Sequence, residues 1–167
     1  MTDARRIGLE SPRFDEREAM LIAGLGEAYT FDKIEQAFTG IPAQWQRFGP
    51  QIGRIPEQEG GESYGVTFDI KAGESFRYLA GVEVASLSEL PSDLGHVSLR
   101  PHTYAIFAHR GNVSTIRDTI DAIFHRWLPE SGHQFAGGAD YYFERYDEKF
   151  DPVTGEGGFE IWVPIED

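Results

Sequence analysis

Two aromatic stretches near the C-terminus constrain the fold of this chain most strongly. They are residues 141–147, which read YYFERYD, and residues 159–165, which read FEIWVPI. Aromatic and β-branched residues that recur with period two are typical of β-strands, and the segment DPVTGEGG between the two stretches is rich in turn formers. The pattern therefore predicts two strands joined by a turn.

The first of these strands carries a glutamate among aromatic residues. Side chains alternate across a strand, so Tyr142, Glu144 and Tyr146 are expected on one face. A carboxylate is costly to bury unless another group pairs with it. Two interpretations stay open on this evidence: Glu144 faces solvent or pairs with a nearby arginine, or it forms the anionic floor of an aromatic box that suits an organic cation.

Earlier in the chain, the pattern predicts a strand, a helix and a hairpin in that order. The predicted strand lies within residues 14–29, and apolar residues at helical spacing follow from Asp32 to Phe48. Pro42 is expected to break or restart this helix, and Gly49-Pro50 to end it. Residues 64–70 and 76–84 form the predicted hairpin.

The same order then recurs. Residues 86–98 are predicted to be a connection, followed by a strand over 99–109, a helix from about residue 114 to 127 that Pro129 stops, and the aromatic hairpin. We therefore predict an α+β fold in which duplicated β-α-β-β units form an antiparallel sheet with two helices, with a ligand pocket at the pseudo-twofold seam.

Length and hydrophobic content set the expected domain organisation. The chain has 167 residues, of which 40% are hydrophobic, enough for one sizeable core. We expect an N-terminal tail over residues 1–13 and a single domain over 14–167. Its two pseudo-repeats are expected at about 14–85 and 97–166.

Charge and residue types narrow the classes of function. A formal net charge of −13 disfavours direct binding to nucleic acid. The absence of cysteine rules out disulfides and thiolate metal sites, and the five histidines show no metal-ligand spacing, so no metal and no cofactor are expected. No apolar run is long enough for a signal peptide or a membrane helix, and the cytoplasm of a microbe is the expected location.

Seven short runs in order resemble the GyrI-like effector-binding domains, which include the ligand-sensing domains of AraC- and MerR-type multidrug regulators. The runs are IPAQWQRF (41–48), YGV (64–66), YLAGVEV (78–84), TYAIF (103–107), WLPESG (127–132), FERYD (143–147) and EIWVPI (160–165).

The resemblance implies a pocket that binds amphipathic, often cationic or aromatic, small molecules. It also implies that the glutamate of the FERY run, here Glu144, contacts the ligand. The positions of other aromatic residues on the predicted elements add ligand-binding candidates. Together the candidates are Glu144, Tyr142, Tyr146, Trp162, Tyr104, Tyr78 and Trp45.

Three functions on this scaffold stay open. Regulators of the family carry a helix-turn-helix domain first, and only about a dozen residues precede the domain here, so we expect a stand-alone binder that senses or sequesters its ligand. One alternative is a hydrolase of reactive cyclopropane-type electrophiles with Glu144 as acid or base. Another is a gyrase-inhibitor-like role, in which the acidic surface binds a protein such as a regulator or a topoisomerase.

Overall fold

A computed structural model describes residues 9–136 and 140–166 of the chain. These residues form eight antiparallel strands and helical segments, an α+β fold as predicted. The strands are β1 (Arg13–Arg17), β2 (Met20–Thr30), β3 (Ser63–Lys71), β4 (Ser75–Val84), β5 (Gly95–Leu99), β6 (His102–His109), β7 (Tyr142–Tyr146) and β8 (Phe159–Ile165). The α-helices are α1 (Glu35–Phe48), α2 (Ile116–Ala122) and α3 (Leu128–Ser131), and a π-helical turn (Ile123–Trp127) joins α2 to α3. Single 3₁₀ turns are at Phe31–Lys33, Gly49–Gln51 and Val113–Thr115.

The strands are divided between two compact units. Among the described residues, unit 1 comprises 9–18, 101–136 and 144–166, and unit 2 comprises 19–100 and 140–143. The strand order is β1-β6-β8-β7 in unit 1 and β5-β2-β4-β3 in unit 2. In both units the strand order is the same: an outer strand, then the strand that precedes the helix, then the second strand of the hairpin, and last its first strand. The predicted duplication of β-α-β-β units is therefore confirmed.

In unit 2, helix α1 covers one face of the sheet. Leu25 lies across from Ala80, and Ala23 across from Val82, so their side chains share this face with Tyr78. Ile41, Trp45 and Phe48 of α1 pack against that cluster. The core here thus follows from the match between the helical spacing of α1 and the alternation of β2 and β4.

In unit 1, a second helical region, which runs from α2 through the π-helical turn to α3 (residues 116–131), covers one face of the sheet. The indole of Trp127 meets the ring of Phe107 edge to face, with 4.9 Å between the ring centres, and Ile123 is fully buried. The register pairs Phe107 with Ile161, which places both side chains on this helix-covered face.

Three predictions about individual elements are wrong. The connection predicted over residues 86–98 contains the start of β5, which pairs with β2 as an outer strand; such a strand is short and half-exposed and gives a weak pattern. Pro42 does not break α1, because the packing of its buried face outweighs one missing hydrogen bond.

Pro129 does not stop the second helical region either. The preceding π turn bonds the N–H of Leu128 to the carbonyl of Ile123, and α3 continues to Ser131 before Gly132 adopts a left-handed conformation. The wider turn explains why a proline is tolerated just after it.

The expected tail over residues 1–13 falls partly outside the described residues, which begin at residue 9. Leu9 is buried, and β1 begins at Arg13. Within the described residues, no helix has the length and apolar character that crossing a membrane requires.

Candidate functional site

Glu144 is a buried carboxylate on β7. Only 4% of its surface is exposed, although neighbouring Asp147 and Glu148 are exposed. The hydroxyl of Tyr146 donates a hydrogen bond to Oε1 of Glu144 over 3.0 Å. The predicted arrangement of this carboxylate beside a phenol on one strand face is therefore present, and Glu144 does not face solvent.

Aromatic rings fix the position of the Tyr146 phenol. The ring centre of Tyr146 lies 4.6 Å from that of Phe150 and 4.8 Å from that of Phe159. Phe159 in turn packs against His109, with 4.7 Å between ring centres. A phenol that is packed on two sides holds its hydroxyl in place, so the hydrogen bond to Glu144 costs little additional ordering.

The same contacts show which face of unit 1 carries Glu144. His109 lies across from Phe159, and its Nδ1 is 2.8 Å from Oγ1 of Thr119 in α2. The Tyr146–Phe159 contact therefore belongs to the helix-covered face. Because side chains alternate along β7, Glu144 points to that face too, and the half-buried Tyr142 lies on the same side of this strand as Glu144.

Trp162 and Tyr104 lie on the opposite face of unit 1. Trp162 is across from Ile106, two residues along β6 from Tyr104, and the two aromatic rings meet edge to face with 5.5 Å between centres. Glu160 shares this face and accepts a hydrogen bond of 3.1 Å from Nε1 of Trp162. The structure therefore does not bring these two predicted ligand-binding aromatics to the face of Glu144.

Arginines from two strands surround Glu160. Nη1 of Arg13 lies 2.6 Å from its Oε2, and Nη1 of Arg145 lies 3.6 Å from its Oε1. Burial by itself would raise the pKa of Glu160, but the hydrogen bonds from Arg13 and Trp162 and the charges of Arg13 and Arg145 together lower the pKa below its ordinary value. Glu160 is thus held as an anion by the protein's own cations.

Tyr78 and Trp45 are packed together inside unit 2. Nε1 of Trp45 donates a hydrogen bond of 3.0 Å to the Tyr78 hydroxyl, and Tyr78 is 2% exposed beneath α1. Tyr78 belongs to the core cluster of this unit, and the partly buried Trp45 packs against that cluster. Their packing accounts for their presence without a ligand.

Sequence reasoning missed Gln44, the fully buried polar residue of α1. Its Nε2 donates to the backbone carbonyls of Leu25 and Tyr78, and its Oε1 accepts from the Tyr29 hydroxyl. The sequence did contain a signal for its burial: Gln44 lies three residues after Ile41 and four before Phe48, which places it on the same face of the helix as these apolar residues. Arg13, Arg17 and Glu160 were also missed, because their meeting depends on the pairing of β1 with β6.

The chemistry open to Glu144 is that of a carboxylate in aromatic surroundings. Such a group attracts an organic cation, or it exchanges a proton with a bound molecule. Among the described residues no group of three His, Asp or Glu side chains could hold a metal ion. An open surface cavity at the end of the second helical region is lined by none of the predicted site residues.

Comparison with known proteins identifies relatives of this chain. The model of the GyrI-like small molecule binding domain matches residues 10–166. The chain is 32% identical over 123 residues to the transcriptional regulator BrlR of Pseudomonas aeruginosa, a match that covers 72% of the chain and 44% of the regulator. The matched part thus spans less than half the length of this curated relative.

Two solved structures share the fold. One is SAV2435 bound to tetraphenylphosphonium, with a TM-score of 0.74, 14% identity and 94% of each chain covered. The other is a putative transcription regulation protein of Staphylococcus aureus MU50, with a TM-score of 0.70, 18% identity, and 96% of this chain and 100% of that chain covered. With the duplicated fold in place and the family model matched over nearly the whole chain, the protein belongs to the GyrI-like small molecule binding domain family.

Proposed function

We propose that this domain binds amphipathic cationic or aromatic small molecules and that Glu144 is the anionic anchor for them. The observation that carries the proposal is the burial of this carboxylate, at 4% exposure, with one oxygen hydrogen-bonded to a packed phenol. A carboxylate removed from water loses hydration, and an apolar cation restores favourable charge interactions without a strongly held hydration shell of its own.

Glu144 is more deeply buried than Glu160, whose side chain is 22% exposed. Glu160 is already paired with Arg13 and Arg145. The phenol of Tyr146 holds the Glu144 carboxylate in place through a hydrogen bond that adds no charge of its own. We therefore propose Glu144 as the residue that selects for cations, because a buried charge interacts more strongly with a bound cation than an exposed charge does.

The relatives support the ligand class. Tetraphenylphosphonium, the compound bound to SAV2435, combines one positive charge with four phenyl rings. BrlR is a transcriptional regulator, so a ligand-sensing role is in keeping with this relative. We extend both features to this chain: a ligand with a delocalised or shielded cation, bound for sensing or for sequestration.

The test is titration calorimetry with two ligands of the same shape and opposite charge, tetraphenylphosphonium and tetraphenylborate. We expect the wild type to prefer the phosphonium and Glu144→Gln to bind it at least about tenfold more weakly, equivalent to about 1.4 kcal/mol. The matched control is Glu148→Gln, which removes an exposed carboxylate four residues away and should leave the affinity unchanged. Equal binding of the two ligands, or wild-type affinity in Glu144→Gln, would overturn the proposal.

The hydrolase alternative also depends on Glu144. Analysis of the compound recovered after incubation distinguishes hydrolysis from binding. A carboxylate beside a phenol can act as a general base toward water. If the domain only binds its ligand, as proposed, reactive cyclopropane-type compounds should be recovered unchanged after incubation with the wild type. Mass spectrometry that finds hydrated product with the wild type, and none with Glu144→Gln, would replace binding by hydrolysis as the function.

A further inference from the structure

The indole of Trp162 already faces a cation, and this cation comes from the protein. The guanidinium carbon of Arg17 lies 5.1 Å from the ring centre of Trp162, and that of Arg13 lies 6.0 Å from it. Arg13 and Arg17 belong to β1, and the indole nitrogen is held by Glu160 from the same strand as Trp162. The three parts of a cation site are thus together: an aromatic face, a second ring from Tyr104, and a carboxylate.

The strand that supplies the two arginines is weakly held. β1 is the outer strand of unit 1 and pairs with β6 alone in the strand order; four of its five residues are exposed, and the fifth, Arg17, is half-buried. The Arg13 side chain is 56% exposed and that of Glu160 is 22% exposed, so their ion pair is partly hydrated. A partly exposed cation–π contact is worth little, so an external organic cation can compete with Arg17 for the face of Trp162.

The local charge balance permits such an exchange. Three arginines and the carboxylates of Glu160 and Asp15 occupy this face, since Asp15 lies across from Tyr104. An added cation would meet repulsion from Arg13 and Arg145. A cation that takes the place of the Arg17 guanidinium leaves the number of positive charges beside Trp162 unchanged, provided Arg17 turns toward solvent.

We propose that Trp162, Tyr104 and Glu160 form a second cation subsite, on the face of unit 1 opposite Glu144, and that Arg17 occupies it in the free protein. The subsite takes compact, flat organic cations of the pyridinium or guanidinium class in exchange for Arg17. It does not rest on the proposed role of Glu144, because the two carboxylates lie on opposite faces of the sheet.

The experiment follows the indole N–H resonances of the ¹⁵N-labelled protein during titration with 1-methylpyridinium chloride. The chain has three tryptophans, so each resonance is assigned with a single Trp→Phe variant. We expect the Trp162 resonance to shift to saturation. Arg17→Ala removes the internal competitor and should lower Kd by about two- to fivefold, the factor that corresponds to a cation–π contact at the weak end of the usual range. Arg100→Ala, which removes an exposed arginine outside this cluster, should leave Kd unchanged.

Further variants keep the test decisive. Glu160→Gln should weaken binding, and Glu144→Gln should leave the titration of Trp162 as in the wild type. Dispersed indole resonances in each free variant verify that it is folded. The proposal is overturned if the Trp162 resonance of the folded wild type and Arg17→Ala proteins does not respond, if Arg17→Ala leaves Kd unchanged, or if Glu144→Gln abolishes the shift. The last outcome would place the cation at Glu144 and leave the function proposed above standing.

Discussion

At the scale of single residues, the hydrogen bonds of buried polar groups hold the core elements in position. Gln44 is fully buried and satisfies two sheet carbonyls and the Tyr29 hydroxyl. A buried polar group is tolerated when its hydrogen bonds are made, and its removal leaves the partners without water to replace them. Gln44 therefore fixes how α1 sits on β2 and β4.

Replacement of Gln44 by the similarly sized Leu should destabilise the protein. We expect a loss of about 1–3 kcal/mol in the free energy of unfolding, since three polar partners lose a bond and only apolar area is gained. Urea unfolding followed by circular dichroism measures this. Gln46→Leu, which changes an exposed glutamine on the same helix, is the control and should have little effect. A stability of Gln44→Leu equal to that of the control would contradict the assigned role.

The carboxylate of Glu160 should make the stability of the folded protein depend on pH. Its pKa in the folded protein is lowered from 4.5, so the folded state favours the charged form. The associated stability is fully present above pH 4.5 and is lost as the pH falls through the lowered value. In Glu160→Gln, the decline of stability below pH 4.5 should be shallower than in the wild type.

Urea midpoints measured at a series of pH values from neutral to acid test this difference in slope. Glu148→Gln serves as the control and should keep the wild-type slope, because Glu148 is exposed. Parallel curves for Glu160→Gln and the wild type would show that the arginines around Glu160 contribute nothing to stability.

At the scale of elements, α1 depends on a glycine in its interior. A Cβ at Gly40 would lie 2.7 Å from the hydroxyl oxygen of Tyr29 and 2.8 Å from its ring. Glycine in a helix costs about 1 kcal/mol relative to alanine. Its presence here lets the Tyr29 phenol lie against the helix and reach Gln44.

Gly40→Ala should therefore destabilise the protein, although alanine is the better helix former. Gly49→Ala is the matched control, because nothing lies within 4 Å of its added Cβ and its backbone is right-handed helical; it should be neutral or stabilising. In a Tyr29→Ala background the steric conflict disappears, and Gly40→Ala should stabilise by up to about 1 kcal/mol. Thermal unfolding of the four proteins of this cycle measures the change of sign, and an unchanged sign would refute the conflict.

At the scale of the whole molecule, the acidic balance determines the response to salt. The net charge of −13 produces repulsion between like charges throughout the folded chain. The ion pairs of Arg47 with Glu27 and of Arg110 with Glu10 are exposed and worth little, so screening them costs less than screening the repulsion gains.

The urea midpoint should therefore rise as NaCl increases from about 10 mM to about 150 mM, over which the screening length falls from about 30 Å to about 8 Å. A variant with Glu89→Lys and Glu148→Lys, both at exposed positions, carries less net negative charge and should show a smaller rise. A midpoint that falls with salt would mean that attractive pairs dominate.

The division of the chain into two units limits how the protein can be cut into fragments. The chain enters unit 1 three times, as β1, as the segment from β6 through the second helical region, and from Glu144 onward. β1 precedes β2 in the chain yet pairs with β6, and β5 precedes β6 yet pairs with β2. A single cut therefore cannot yield the two units as separate fragments.

The sequence by itself determined the repeated order of strand, helix and hairpin and the closeness of Glu144 and Tyr146. These depend on local spacing, because periods of 3.6 and 2 and short turns are properties of neighbouring residues. The tertiary structure decided which face each strand presents, which outer strand each unit receives, and which polar groups of the core meet. Trp162 and Tyr104 lie opposite Glu144 because alternation makes the face depend on register, and a shift of one residue reverses it. Arg17 reaches Trp162, and Gln44 reaches two carbonyls, only through pairings between residues far apart in the chain, which spacing along the sequence does not encode.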